Sequence, residues 1–365
     1  MKKINKMLLI TNSLESNPSG GRELLCKLNH TILLDIYGAR LITFELKSQA
    51  PHSFLDYFRA FRGHIDGINF DSIRSIENHI INEGVEQVFI DGSNLGECAR
   101  FLKKKFQYLK VTVFFHNAES RFFWGALCSR KSVKSFFVLV ANYLTERKSI
   151  IYSDNRICLS GRDSGVLKRL YGRGATHISA MALEDKMKSD VAISSKDNAE
   201  IFALFVGGSF YANRVGITWF VNNVVPKIDI PIYIVGRGFE LLRSELEVPG
   251  KVYVIGPVDD LAPWYNRARF VIAPIFDGSG MKTKVAEALM HGKKVVGTPD
   301  AFSGYEDSAN VAGWICKSPE DFISACEQAR DGIDVVFDQK ARNTYLEKYS
   351  LVASKKRLQN ILNEG

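Results

Sequence analysis

The sequence lacks several patterns that would define a functional class at once. No run of 18 or more apolar residues occurs, so no membrane-spanning helix is predicted. The six cysteines form no CxxC pair, and their scatter predicts reduced, mostly buried thiols of a cytoplasmic protein rather than a disulfide framework or a zinc site. There is no GxGxxG motif, which makes an NAD-linked oxidoreductase a weak interpretation.

The composition is that of a globular protein with a basic surface. The 365 residues suffice for two domains of ordinary size, and 46% of them are hydrophobic against 24% charged. The net charge of +8 suits partners that carry phosphates or anionic lipid head groups. Because no nucleic-acid-binding module pattern is present, nucleic acid is not a predicted partner. The basic residues are densest at Lys103–Lys105, Arg121–Lys148 and Lys355–Arg357.

Predicted strands and helices alternate along most of the chain. This alternation is typical of an α/β protein with parallel sheets, whose ligands bind beyond the carboxyl ends of the strands. We predict a first domain over residues 1–183 and a polar linker over residues 184–200, which hold few large apolar side chains. A second domain is predicted over residues 201–340. The remaining residues, 341–365, are predicted to form a long C-terminal helix, Ala341–Asn363, that returns to the first domain.

The stretch Val271–Pro299 carries the clearest candidate site. A strand, Phe270–Ala273, leads into a glycine-rich turn, Asp277–Gly280, and then a helix, so free backbone N–H groups and the helix dipole would face an anion. Glu287 lies seven residues beyond Gly280, roughly 10 Å along the helix. A nucleotide diphosphate and its ribose would fit this spacing. Strand–turn–helix units with a solvated glutamate are also common, so the pattern alone leaves both interpretations open.

The segment GSGMKTKVAEALMHGKKVVGT resembles the donor site of GT-B glycosyltransferases of the retaining family 4, or group 1, type. The resemblance implies two Rossmann-like domains that face a central cleft, with the acceptor on the first and a nucleotide sugar on the second. It also implies a UDP- or GDP-type donor used as substrate, retention at the anomeric carbon and no required metal; no DxD motif occurs. In this family the residue matching Glu287 binds the ribose, whereas Ser279 stands where many members have a further Glu.

The resemblance implies further donor-binding residues. Gly208 or Ser209 stands at the usual position of a phosphate-binding Arg, and Arg214 falls at the position of a Lys. Arg214, with Lys282 or Lys284, would then supply the cations that a desolvated diphosphate needs. The first glycine turn, which contains Gly20 and Gly21, would approach the donor phosphates, although a plain turn is an equal interpretation. The complete set implied for the donor is Gly20, Gly21, Gly208, Arg214, Ser279, Gly280, Lys282, Lys284 and Glu287.

His116 is the candidate catalytic residue. It follows the predicted strand Lys110–Phe115, and the segment His116–Glu119 is similar to the His-Asn-x-Glu loop of many family members. In better-understood relatives a His on this loop faces the donor sugar. A structural hydrogen bond is an equal interpretation for a single histidine.

The region Arg121–Lys148 mixes aromatic and basic residues. This mixture suits a membrane interface or a lipid-carrying acceptor, and it equally suits a helix pair with one core face and one solvated basic face. The predicted partners are therefore a nucleotide sugar and a glycan, lipid-linked or protein acceptor, with peripheral membrane contact as one interpretation. The sequence defines no oligomeric state.

We therefore predict a cytoplasmic hexosyltransferase of bacterial surface polysaccharide or glycan assembly, with a place at the inner membrane face as one interpretation. Two alternatives stay open. One is a GT-B nucleotide-sugar 2-epimerase, which shares two Rossmann-like halves. The other is a non-catalytic partner subunit that binds a nucleotide sugar, which the missing Arg and the missing first Glu would favour.

Overall fold

A computed structural model describes residues 5–12, 14, 20–47, 54–187, 201–277, 280–332 and 337–363. The chain divides into two compact units. The first comprises Met1–Met181 with Ser354–Gly365, and the second comprises Ala182–Ala353. Ser279, most of the predicted linker and the start of the first glycine turn lie outside the described residues.

The first unit is built on a parallel sheet in which six strands follow the order β2-β1-β3-β4-β5-β6. The apolar run Met7–Ile10 is fully buried in β1, as expected for a parallel strand covered on both faces. The chain leaves β1 for β2 on one side and later enters β3 on the other, so the direction of winding changes between β1 and β3. The strands are β1 (Met7–Asn12), β2 (Leu41–Leu46), β3 (Gln87–Asp91), β4 (Lys110–Phe115), β5 (Asn155–Cys158) and β6 (His177–Ile178).

The second unit repeats this plan with the order β12-β11-β10-β7-β8-β9, again parallel throughout. Here the winding changes direction between β7 and β10, and the carboxyl ends of those two neighbours define the expected ligand crevice of this sheet. The strands are β7 (Ala203–Val206), β8 (Ile232–Val235), β9 (Val252–Gly256), β10 (Phe270–Ala273), β11 (Val295–Gly297) and β12 (Gly313–Ile315).

Helices connect the strands and complete the α/β class that the sequence predicts. Several begin at side-chain caps; Ser318, for example, accepts a hydrogen bond from the backbone N–H of Asp321. Among the described residues no helix combines the length and apolarity that crossing a bilayer requires. The helices are α1 (Gly21–Tyr37), α2 (Phe54–Arg62), α3 (Phe70–Glu83), α4 (Gly96–Lys105), α5 (Glu119–Arg130), α6 (Val133–Ile151), α7 (Gly161–Tyr171), α8 (Tyr211–Asn223), α9 (Arg243–Leu246), α10 (Ala262–Arg267), α11 (Thr283–Met290), α12 (Ala309–Ala312), α13 (Pro319–Asp331), α14 (Gln339–Thr344) and α15 (Leu351–Asn363).

The prediction of one continuous helix over Ala341–Asn363 is wrong. Helix α14 ends at Thr344, a π-helical turn follows over Tyr345–Tyr349, and Ser350 is extended with φ −80° and ψ 160°. The Ser350 hydroxyl accepts from the N–H of Ala353 at 3.2 Å and so starts α15 afresh. The break divides the tail between the units, because the second unit ends at Ala353 and the first resumes at Ser354.

The cysteines are unpaired, and five of the six are buried, whereas Cys128 is exposed. Burial raises the pKa of several of them, including Cys98 to about 12, so these thiols stay protonated and pack as small apolar groups.

Candidate functional site

Glycines bring two strand ends of the second unit into backbone contact. Gly236, which follows β8, has a φ of 151°, and a Cβ there would lie 1.9 Å from the carbonyl oxygen of Gly207. Gly207 N–H donates to the Val235 carbonyl at 3.0 Å, and Ser209 N–H donates to the Arg237 carbonyl at 2.9 Å. Because no side chain fits at position 236, the loops after β7 and β8 form a continuous backbone surface at the carboxyl edge.

Lys284 lies at this edge, in the first turn of α11, and is only 6% exposed. Its Nζ donates to Oδ1 of Asn213 at 2.9 Å and lies 4.4 Å from the centre of the Phe205 ring. The Asn213 amide in turn donates to the Gly208 carbonyl at 2.8 Å. A Cβ on Gly207 would lie 2.5 Å from the Asn213 amide nitrogen and 3.5 Å from Lys284 Nζ. The glycine therefore provides the space that Asn213 and Lys284 occupy.

Burial lowers the pKa of Lys284 to about 7, although the nearby Glu287 opposes the shift. Lys284 bonds to a neutral amide, and within the described ranges it makes no salt bridge with a carboxylate. A buried ammonium without an anionic partner is costly, and a bound phosphate would remove that cost. The position thus fits an anion at the crevice between β7 and β10.

The start of α11 adds backbone donors. Gly280 has a φ of 71°, in the left-handed region that glycine tolerates, and Lys282 is the N-cap residue with extended backbone. No side chain caps this helix end within the part of the chain that the structure describes. Lys282 Nζ donates to the Gly280 carbonyl at 2.9 Å, and the Tyr305 hydroxyl donates to the Lys282 carbonyl at 2.8 Å. These bonds fix the turn. The N–H of Val285 donates to the Lys282 carbonyl at 3.2 Å, so the N–H groups of Thr283 and Lys284 are those that can face an anion.

Glu287 lies one turn beyond Lys284 on the same face of α11. Its Oε2 accepts a 2.7 Å hydrogen bond from the Tyr265 hydroxyl, and Tyr265 is fully buried. The Tyr265 ring stacks on His291 with the ring centres 5.0 Å apart, and His291 Nδ1 lies 2.8 Å from Oδ1 of Asn266. Burial raises the pKa of Glu287, with Tyr265 opposing that shift. One carboxylate oxygen is thus fixed, and the other can accept hydroxyl groups.

The predicted donor residues separate into groups. Gly280, Lys282, Lys284 and Glu287 are brought together at α11. Gly208 and Arg214 are exposed, Gly208 after β7 and Arg214 on the first turn of α8. Ser279 lies outside the described residues. In the first unit, Gly20 is the N-cap of α1 with φ −137°, and Gly21 is the first residue of that helix.

His116 is buried at the carboxyl edge of the sheet of the first unit. It follows β4, and its Nε2 lies 2.7 Å from Oδ1 of Asp91, the last residue of β3. Asp91 also accepts from the Asn29 amide at 2.8 Å and the Thr11 hydroxyl at 3.2 Å. The ring orientation of His116 is therefore set by a buried carboxylate.

Cys26, Asp91 and His116 place a thiol, a carboxylate and an imidazole within 4.8 Å of one another. Burial and the charge of Asp91 raise the pKa of the Cys26 thiol, and the thiolate is the form that binds metals. Because Asp91 already accepts hydrogen bonds from three side-chain groups, internal hydrogen bonding accounts for this cluster.

Three residues of these networks were not predicted from the sequence, and each carries a different signal. Asp91 follows the apolar residues Val88–Ile90 and precedes a glycine, which marks the carboxyl edge where ligands bind. Asn213 shares the buried helical face of Ile217 and Phe220, so its polarity in that pattern was a usable signal. Tyr265 lies 22 residues before Glu287, and nothing local connects the two.

The fold of the chain matches solved GT-B glycosyltransferase structures. Sucrose-phosphate synthase from Thermosynechococcus elongatus is 14% identical, with 98% of each chain covered and a TM-score of 0.68. The HepE protein of Anabaena in complex with UDP is 13% identical, with 99% of this chain and 100% of that chain covered and a TM-score of 0.69. The lipopolysaccharide outer core galactosyltransferase WaaB is 14% identical, with 98% of this chain and 99% of that chain covered and a TM-score of 0.64. The chain has the GT-B fold, as predicted.

Residues 201–331 match the family described as glycosyl transferases group 1. This match spans β7 to α13 and includes Asn213, Tyr265, Lys284 and Glu287, so the second unit is the part that resembles this family in sequence. A comparison with curated protein sequences gave no match.

Proposed function

We propose that the chain is a glycosyltransferase that moves a sugar from a nucleotide diphosphate donor to an acceptor hydroxyl. The proposal depends chiefly on one observation: a buried cation, Lys284, and an anchored carboxylate, Glu287, lie one turn apart on the same helix face at the crevice between β7 and β10. A pyrophosphate needs the cation and a ribose needs the hydrogen-bond acceptor. The family match over the same residues supports this assignment.

The donor is a UDP-type nucleotide sugar, and a GDP-type sugar is the alternative. Support for UDP comes from the solved HepE structures, which contain UDP or UDP-glucose. Lys284 and the N–H groups of α11 contact the phosphates, while Lys282 and Arg214 add positive charge. No metal ion is assigned a role, because the cations of this unit can neutralise the diphosphate.

The reaction forms a bond between the acceptor oxygen and the anomeric carbon and breaks the bond from that carbon to the phosphate oxygen. The acceptor proton passes to the leaving phosphate oxygen, and the nucleoside diphosphate departs. Attack from the face of the leaving group gives retention. Lys284 and the start of α11 stabilise the charge that develops on the leaving phosphate. His116 is the proposed catalytic residue toward the donor sugar, with Asp91 holding its ring.

The acceptor belongs to surface polysaccharide or glycan assembly at the inner face of a membrane. Helices α5 and α6 support this setting because they expose large apolar residues beside Arg and Lys: Trp124 is 60% exposed and Phe136 is 51% exposed. The similarity in fold to a lipopolysaccharide galactosyltransferase agrees with it.

Calorimetric titration with UDP, GDP, UDP-sugars and GDP-sugars tests the proposal. We expect micromolar binding of one nucleotide class and a clear loss of affinity in Glu287→Ala. An assay of the products should detect free nucleoside diphosphate only when an acceptor is present. An epimerised donor formed without any acceptor would instead identify a 2-epimerase. Donor binding with no transfer to any acceptor, even with partner subunits added, would identify a non-catalytic subunit.

A further inference from the structure

The first unit contains a cavity of about 850 Å³ that the predicted site residues do not explain. Its volume lies in the range of small-molecule sites. The end of β2, the start of α1 and the residues after β3 and β4 line it, so it opens at the carboxyl edge of the sheet, where ligands of parallel sheets bind.

One wall of the cavity is a hydrogen-bonded polar cluster. Oδ2 of Asp66 accepts from the guanidinium of Arg22 at 3.0 Å and from the amide of Asn94. Arg22 also donates to Oδ1 of Asn12 at 2.7 Å. Asp66 has a φ of 49°, a left-handed conformation that costs free energy in a non-glycine residue unless its surroundings hold it. The network thus holds a carboxylate in the cavity wall with one oxygen still able to accept a hydrogen bond.

Glu119 lies beside this cluster and also lines the cavity. Its own N–H donates to the buried carboxylate of Glu146 at 2.8 Å, so the start of α5 is held in place. Burial and Glu146 raise the pKa of Glu119 to about 7, with Arg22 opposing the shift. Near neutral pH the Glu119 carboxyl can therefore donate or accept a hydrogen bond, which is what recognition of hydroxyl groups requires.

Another part of the lining is aromatic. Phe61, Phe123 and Phe137 line it, and the Phe61 and Phe137 rings meet edge to face with their centres 5.7 Å apart. Phe70 lies at the rim, 74% exposed. A wholly hydrophilic ligand would leave this apolar area in water.

We propose that this cavity binds the acceptor, and that the acceptor is an amphiphile: a sugar whose hydroxyls bond to Asp66, Asn94 and Glu119, carried on an apolar chain that lies over Phe61 and Phe137. The proposal rests on the proposed glycosyltransferase function and adds the acceptor class to it. Arg59 and Lys47 also line the cavity, and their charge complements a phosphate between sugar and chain.

The test measures binding of dodecyl β-maltoside, below its critical micelle concentration, to the full chain. We expect maltose alone and dodecyltrimethylammonium alone to bind at least about tenfold more weakly, because each lacks one of the two recognised parts. Equal binding of maltose would show that the cavity recognises only a hydrophilic glycan. Equal binding of dodecyltrimethylammonium would show non-specific detergent uptake. Either result overturns the proposal.

Variants locate the binding. Phe137→Ser should weaken binding of dodecyl maltoside by about tenfold or more, because an apolar contact of this size is lost. Phe136→Ser is the matched control, since Phe136 is exposed on the same helix but does not line the cavity, and it should change binding less than about twofold. Asp66→Asn should weaken binding of dodecyl maltoside through its sugar, while the contact of the dodecyl chain with the aromatic residues stays intact. Equal effects of the two phenylalanine variants would place the ligand outside the cavity.

UDP titrations of the same variants separate this proposal from the proposed function. UDP affinity should be unchanged, because these residues all lie in the first unit and the proposed UDP site lies in the second. Thermal unfolding near the wild-type temperature shows that the variants fold. If UDP binds and the maltoside pattern fails, the acceptor assignment alone is wrong. If neither UDP nor GDP nor their sugars bind, the glycosyltransferase proposal is wrong, and the maltoside pattern then reports only an amphiphile site.

Discussion

Lys284 and Asn213 are joined by a 2.9 Å hydrogen bond between the two helices that follow β10 and β7. These strands are the neighbours between which the winding of the second sheet reverses. The bond therefore places a buried ammonium where a parallel sheet binds its ligands. A second hydrogen bond, from the Asn213 amide to the Gly208 carbonyl, holds that amide in place.

Replacement of Lys284 by Met should separate stability from binding. The pKa of Lys284 falls from 10.5 to about 7 on folding, so the folded chain bears a cost for its charge that is full below pH 7 and decreases as the pH rises toward 10.5. Lys284→Met should raise the unfolding temperature most at pH 6 and least near pH 10. UDP affinity should fall about 10- to 150-fold, the loss of a charged hydrogen bond. Lower stability at pH 6 would contradict this account.

The same lysine predicts that UDP binding takes up a proton. A bound diphosphate stabilises the ammonium, so between pH 7 and 9 affinity should fall as the pH rises, and calorimetry in buffers of different ionisation enthalpy should detect proton uptake at pH 8. Lys284→Met should lose this pH dependence. Proton uptake that persists in the Met variant would assign the titration to another group.

Substitution of Gly207 tests the space that Asn213 and Lys284 occupy. Gly207→Ala should weaken UDP binding and lower stability, because its φ of 149° disfavours a side chain and its Cβ would lie 2.5 Å from the Asn213 amide. Gly250→Ala is the matched control, since Gly250 also has a positive φ, 75°, but a Cβ there would meet nothing within 4 Å. Similar effects of the two alanines would show that the conformation at Gly207 is not what shapes the site.

Glu287→Ala should weaken UDP by roughly 1–3 kcal/mol, because hydrogen bonds to a charged group are lost. Tyr265→Phe should cause a smaller loss of UDP affinity, because the variant loses the hydroxyl that orients Oε2 of Glu287 but still has the carboxylate. Isothermal titration of both variants with UDP and with uracil checks this order. Equal losses of UDP affinity in Tyr265→Phe and Glu287→Ala would indicate that the Glu287 carboxylate only bonds to the protein and does not contact the nucleotide.

Glu119→Gln should change the pH dependence of stability. Because the folded pKa of Glu119, about 7, exceeds its ordinary value of 4.5, the wild type loses stability as the pH rises from 4.5 to 7. The variant cannot ionise, so it should melt above the wild type at pH 8 and near it at pH 4.5. Thermal unfolding at the two pH values measures this. An advantage of the same size at both would exclude the ionisation of Glu119 as its cause.

Local patterns in the sequence predicted much of the second unit. The strand Phe270–Ala273 is confirmed, and the apolar residues Val285, Ala288 and Leu289 of the following helix are buried at helical spacing. Lys284 lies three residues before Glu287 and so shares its helix face, but this spacing could not reveal that Lys284 is buried. That property depends on Asn213 and Phe205, which come from distant parts of the chain.

Other features depended on contacts that no local pattern reports. The break at Ser350 was missed because Tyr345–Asn363 has helical composition, and the extended residue is held by a bridge to Leu183, far away in sequence. Asp66 gave no signal either, since its role comes from Arg22 and Asn94. The catalytic role of His116 stays a prediction; the structure gives its partner, Asp91.

The most direct test of the central claim is a crystal structure of the chain with UDP. The account predicts the pyrophosphate within hydrogen-bond distance of Lys284 Nζ and of the first N–H groups of α11, and the ribose hydroxyls on the carboxylate of Glu287. UDP bound elsewhere, with Lys284 still paired only to Asn213, would contradict it.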